Sequence, residues 1–131
     1  MKFFLFLLLI SFCESFLYYT PDTYPDSLRN PNACGLRSPG WACDPNLILG
    51  DNIAEAMNII STNIQHNTNC SCENQNQCSY PHTGFTISVA ILEKIKDNDD
   101  IINPSTDHKL KLAEVFANAL RIRQNRGHCG D

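Results

Sequence analysis

The chain has 131 residues, a length that suits one domain around a single core. Hydrophobic residues make up 43% and charged residues 18%, the balance of a globular protein rather than a disordered one. Ten basic residues against fourteen acidic ones leave a formal charge of −4, which argues against a nucleic-acid partner, whose phosphates such a surface repels.

The chain opens with Met1 and Lys2, and residues 3–12 then carry no charge. That run is about half the ~20 residues a membrane-spanning helix needs. A short positive start, a short apolar run and small residues after it describe a secretory signal peptide. Cleavage after Ser15 places Cys13 and Ser15 at the two small-residue positions, so residues 1–15 are expected to be removed and residues 16–131 to form the extracellular domain. No other stretch is apolar and long enough to span a bilayer. Lys2 and Glu14 leave together, so the processed chain keeps its charge of −4. It is expected to be secreted or to lie on the extracellular face of the plasma membrane.

Export decides how the cysteines read. Cys13 goes with the signal peptide, and Cys34, Cys43, Cys70, Cys72, Cys78 and Cys129 remain. An even number of cysteines in an oxidising compartment predicts disulfides. Cys70 and Cys72 are too close along the chain to bond each other easily. The expected pairing is Cys34 with Cys43, one of Cys70 and Cys72 with Cys78, and the other with Cys129. A zinc site built from Cys70, Cys72, Cys78 and His66 or His82 is the rival. It lacks the usual Cys-x2-Cys spacing and needs reduced thiolates.

Residues 16–45 hold Pro21, Pro25, Pro31, Pro39 and Pro45 with Gly35 and Gly40, a composition that opposes any long regular helix. Phe16, Leu17, Tyr18 and Tyr19 suit a brief strand or a cover over the core. Cys34 and Cys43 are expected to close a loop around Trp41, which reads as the packing anchor of that loop. A first helix is predicted over residues 51–65. Asn52 followed by Glu55 resembles a capping box, and Asp51 and Glu55 sit at the positive end of the helix dipole. Ile53, Met57, Ile60 and Ile64 recur at i, i+4, i+7 and i+11, on one face of that helix. The polar segment 67–83 has little that can pack, so cross-links are the natural way to hold it. Within it Asn69-Cys70-Ser71 is a formal N-glycosylation sequon, which makes Asn69 a candidate acceptor.

Residues 84–92 give the clearest strand. Phe85, Ile87, Val89 and Ile91 alternate with Thr86, Ser88, Ala90 and Leu92, and the apolar end of the second set predicts partial burial on both faces, as in an interior strand of an α/β sheet. Residues 93–100 read as a charged turn. Asp97, Asp99 and Asp100 lack the glycine and late glutamate of a calcium loop. A second helix is predicted over residues 107–125. Pro104 stands before Ser105, Thr106 and Asp107, all capable caps. Leu112, Ala113, Phe116, Ala117 and Leu120 form an apolar stripe. Arg121, Arg123 and Arg126 crowd the last turn, where basic residues compensate the helix dipole.

A strand followed by a crossover helix normally returns to a parallel strand beside the first. Here the sequence reaches Asp131 six residues after that helix, so the fold class is α/β with a partial sheet whose final strands are expected to lie beyond it. Pairing from the N-terminal segment or from another protein is the alternative.

Several blocks in order resemble the modulator of levamisole receptor family, whose extracellular region is a TPM domain. They are Tyr18-Tyr19-Thr20-Pro21-Asp22-Thr23-Tyr24-Pro25-Asp26, Asn30-Pro31-Asn32-Ala33-Cys34-Gly35, and Cys43-Asp44-Pro45-Asn46 with Leu47-Ile48-Leu49. The Cys70-Ser71-Cys72 loop, residues 84–95, Phe116-Ala117-Asn118-Ala119-Leu120-Arg121 and Gly127-His128-Cys129-Gly130-Asp131 complete the set. The resemblance covers nearly the whole processed chain and rests on order and cysteine placement, since no block is a catalytic signature. It implies an α/β domain with a helix-flanked sheet, acting as an accessory protein that promotes gating of levamisole-sensitive, acetylcholine-gated channels. Channel subunits are then the implied partners, with no cofactor. Family members are typically held by a membrane span after the domain, and this sequence contains none.

Two other functions compete with this one. Distant relatives with TPM domains resemble phosphatases, which makes Asp44 and Asp131 the candidates for a metal-assisted site. For Asp44 the plainer account is a turn before Pro45. Nucleophile-elbow, Walker and HExxH patterns are absent, and His66, His82, His108 and His128 are scattered, so no enzyme is expected. A soluble decoy scaffold is the third reading.

Overall fold

The computed structural model describes residues 18–69, 72–74, 84–97 and 104–124. The signal-peptide reading therefore lies outside the described residues, as do Cys70, Cys78, Cys129, Arg126 and Asp131. Among the described residues the order is β1 (Tyr18–Tyr19), a 3-10 helix (Pro31–Cys34), β2 (Ala42–Cys43), α1 (Ile53–Asn67), β3 (Val89–Ala90), β4 (Lys94–Ile95) and α2 (Thr106–Arg123). This is a mixed α/β arrangement with two small parallel sheets.

The partners of the predicted strand come from upstream. β2 pairs with β3, Ala42 opposite Val89 and Cys43 opposite Ala90, while β1 pairs with β4, Tyr18 opposite Lys94 and Tyr19 opposite Ile95. The turn expected over residues 93–100 thus begins with a short strand, and the Lys96 amide donates to the Tyr19 carbonyl at 2.8 Å. The regular ladder is shorter than residues 84–92. Phe85 and Ile87 are 44% and 47% exposed, so the predicted two-sided burial is not reached there. The cause is local: the Phe85 amide donates to Thr68 Oγ1 at 2.8 Å, so this stretch is held by the end of α1 rather than by a neighbouring strand.

α1 forms close to its predicted span, but its capping and its inward face both differ from the sequence reading. Asn52 has a φ of 68° and makes no side-chain cap. Glu55 instead accepts from the Arg37 amide at 3.2 Å, so the capping box does not form. The residues turned inward are Ala54, Asn58, Ser61 and Gln65, one position on from the isoleucine stripe. Ile53 and Ile60 are 37% and 59% exposed. The physical reason is what α1 packs against. Asn58 Oδ1 accepts from the Trp41 amide at 2.8 Å, and Gln65 Oε1 accepts from the Trp41 indole at 3.1 Å. Those donors need polar partners where water is excluded, so small and amide side chains take the inner face. Trp41 anchors the loop as expected, through hydrogen bonds as well as packing.

The core lies between this layer and α2. Tyr19, Tyr24, Leu36, Ala54, Phe116 and Leu120 are buried together with the Cys34–Cys43 disulfide. Tyr24 is its centre. Its ring meets Tyr19 edge-on at 5.1 Å and Phe116 edge-on at 5.6 Å, the favourable aromatic geometry. Its hydroxyl lies 2.7 Å from the Cys43 carbonyl and accepts from the Ile91 amide at 3.0 Å, tying β2 to the strand segment that follows β3. Burial pushes this phenol well above its ordinary pKa, and the Asp44 and Tyr19 charges push the same way. The Ile91 hydrogen bond and Arg123 oppose them.

α2 starts on the predicted cap, with Ser105 accepting from the His108 amide. Of the predicted stripe, Phe116 and Leu120 are buried. Leu112 is half-buried, and Ala113 and Ala117 are exposed. At the far end Arg123 does more than balance a dipole. Its guanidinium donates to the carbonyls of Pro21, Tyr24 (2.8 Å) and Pro25 (3.1 Å), strapping the proline-rich segment to the helix.

Candidate functional site

Cys34 and Cys43 form the predicted disulfide, with Cα atoms 4.2 Å apart. It joins the 3-10 helix to β2, and the Asp44 amide donates to the Cys34 carbonyl at 3.1 Å beside it. Cys72 is buried and also disulfide-bonded, so it supplies no thiolate for the rival zinc site. Its predicted partners fall outside the described residues. Among the described residues no group of three or more His, Cys, Asp or Glu is placed to hold a metal ion.

Asp44, the candidate carboxylate of a phosphatase site, is fully buried at the end of β2. Its two oxygens accept from the Ile48 and Leu49 amides, each at 2.9 Å. Both are therefore occupied in shaping the loop that leads into α1. That loop is conformationally demanding: Leu47 has a φ of 52° and Asn52 a φ of 68°, a region that disfavours side chains with a Cβ. The buried carboxylate holds Leu47, Ile48 and Leu49 outward, where all three are exposed. The residues around Asp44 mark it as a turn former before Pro45 and carry no sign of the apolar tip it supports.

The scattered histidines divide. His66 is exposed near the end of α1, while His108 Nε2 lies 2.5 Å from Asp97 Oδ2, tying the segment after β4 to the first turn of α2. His82 and His128 lie outside the described residues. Asn69 is exposed just beyond α1.

Two surface features remain once these structural roles are assigned. The first is a set of exposed apolar side chains, Leu47, Ile48 and Leu49 on the loop before α1 and Ile53, Ile59 and Ile60 on α1 itself. Exposed apolar side chains gathered on one loop and the helix after it are a candidate interaction site. The second is a cavity of about 540 Å³ between the β3 segment and α2, lined mainly by apolar groups including Leu92, Phe116 and Leu120. Among the described residues no helix is long and apolar enough to cross a membrane.

A family model described as modulator of levamisole receptor-1 matches residues 19–131. No curated protein matches the chain. No solved structure matches it either.

Proposed function

The chain belongs to the modulator of levamisole receptor-1 family, and we propose on that premise that it is an extracellular accessory domain that promotes gating of levamisole-sensitive, acetylcholine-gated channels. The observation that carries this reading is the family match over residues 19–131. The apolar run at residues 3–12 and the Cys34–Cys43 disulfide support an exported, oxidised protein. The exposed side chains of Leu47, Ile48, Leu49, Ile53, Ile59 and Ile60 support a protein-binding role, and we assign the receptor ectodomain to them. Asp51 and Glu55 stand among them in the chain, so an anionic membrane surface is disfavoured as their partner.

Promotion of gating requires that the domain bind the open or primed receptor more tightly than the resting one. Equal affinity for both states shifts nothing, and a tenfold shift needs about 1.4 kcal/mol of difference. The direct test is co-expression of the chain with a levamisole-sensitive receptor and measurement of agonist-evoked current. Larger currents at low agonist concentration are expected. Identical currents with and without the chain would remove the proposal.

A further inference from the structure

The acceptor sequence at Asn69 has no part in the receptor reading. Only Asn69 and Asn103 are followed two places on by serine, and Pro104 disqualifies Asn103, so Asn69-Cys70-Ser71 is the single N-x-S/T sequence in the chain. An attached oligosaccharide is bulky and requires an asparagine that the folded domain keeps at its surface. The end of α1 meets that requirement. Thr68 leaves the helix with extended backbone (φ −104°, ψ 148°), and its amide and hydroxyl both donate to the Ile64 carbonyl, at 3.0 and 2.6 Å. The same hydroxyl accepts from the Phe85 amide. Gly84 lies so close that a Cβ there would collide with the Gln65 carbonyl oxygen and Thr68 Oγ1. Thr68 is thus pinned between the helix and the segment before β3, and Asn69, one residue on, stands exposed. α1 has 15 residues and is about 22 Å long at 1.5 Å per residue, so Asn69 lies at the opposite end of that helix from the loop of Leu47, Ile48 and Leu49.

We propose that Asn69 carries an N-linked oligosaccharide, and that this glycan keeps the C-terminal end of α1 in solvent and leaves the Leu47–Leu49 end to the receptor. The inference rests on the export and receptor reading above and adds the side from which the partner is excluded. In the attachment step Asn69 Nδ2 forms a bond to the anomeric carbon of a sugar carried on a polyprenyl diphosphate. The bond from that carbon to the diphosphate breaks, the diphosphate leaves with its electron pair, and one Nδ2 proton passes to a base of the transferase. Transfer to the emerging chain needs only the sequence, which Ser71 completes, and precedes oxidation of Cys70. The fold then has to tolerate the product, and an exposed residue beyond the last turn of a helix does so at no cost to the core.

The test expresses the full chain from Met1 in a eukaryotic secretory host and weighs the exported product before and after peptide N-glycosidase. Wild type should lose the mass of one oligosaccharide, whereas Asn69→Gln and Ser71→Ala should already have the smaller mass without the enzyme. An exported wild-type chain that the enzyme leaves unchanged would overturn the inference and leave the export reading standing. A chain that never enters the secretory pathway would remove both. The orientation is tested by Arg37→Asn/Pro39→Thr, which creates a second acceptor sequence at exposed positions by the start of α1, where the Arg37 amide donates to Glu55. Either change alone creates none. Co-purification with a co-expressed levamisole-sensitive receptor should survive in wild type and both single variants, and fall about tenfold or more in the doubly glycosylated fraction of the double variant. Undiminished co-purification of that fraction would overturn the orientation. Failure of the glycosylated wild-type chain to co-purify would remove the receptor reading and leave the modification at Asn69 in place.

Discussion

At the scale of single residues, Tyr24 and Gly40 show how little freedom the core has. Tyr24 joins three elements: its ring packs on Phe116 of α2, and its hydroxyl bonds both strand segments. Tyr24→Phe keeps the ring and leaves the Ile91 amide with one acceptor fewer. Chemical denaturation at neutral pH should show a loss of about 1–2 kcal/mol. The same residue sets an alkaline limit. In the unfolded chain the phenol ionises near its ordinary value of 10.0, whereas in the folded chain burial keeps it protonated to higher pH. The folded state therefore binds more protons above that value, and stability, full below about pH 10, falls as pH rises toward the folded pKa. Tyr24→Phe should flatten most of that fall in melts recorded across the alkaline range; an unchanged slope would show that another group causes it. Gly40 is required for closeness rather than for its backbone angle. A Cβ there would run into the Asn58 side chain, which is buried and already holds the Trp41 amide. Gly40→Ala should cost about 1–3 kcal/mol by the same assay.

At the scale of elements, the sequence predicted the existence of the helices well and their orientation less well. Period 3.6 in Ile53, Met57, Ile60 and Ile64 located α1, and Pro104 with Ser105 located the start of α2. Periodicity says that one face is apolar; it does not say that the core is what covers it. In α1 the core side is chosen by Trp41, whose amide and indole N–H call for Asn58 and Gln65. Nothing in the local pattern reports such a demand made from 17 and 24 residues away. Upstream pairing of β3 and β4 was legible only as an alternative, since its partners β1 and β2 are two residues each and carry no alternation to read. The short-range disulfide was legible because Cys34 and Cys43 are neighbours on the chain. It closes a loop with a sequence separation of 9, so the chain-entropy relation gives it about 2.5 kcal/mol. Replacing both cysteines by alanine should lower stability by about that amount and leave the Cys72 bond oxidised in a thiol assay. Arg123→Met should cost a further ~2–3 kcal/mol, because three carbonyls lose a charged donor.

At the scale of the whole molecule, the buried polar groups are spent on shape and the apolar surplus is left outside. Asp44 braces a loop, Asn58 and Gln65 hold Trp41, and Arg123 straps the N-terminal segment, while isoleucines and leucines face solvent. A protein that binds another has a use for exposed apolar side chains. Substituting Ile60, 59% exposed, by aspartate should leave thermal stability within about 0.5 kcal/mol of wild type, as surface changes do. The decisive measurement is then the agonist dose–response of a levamisole-sensitive receptor co-expressed with the wild-type chain or with Ile59→Asp/Ile60→Asp. The account predicts a shift to lower agonist concentration with wild type and none with the folded double variant. An equal shift with both would contradict it.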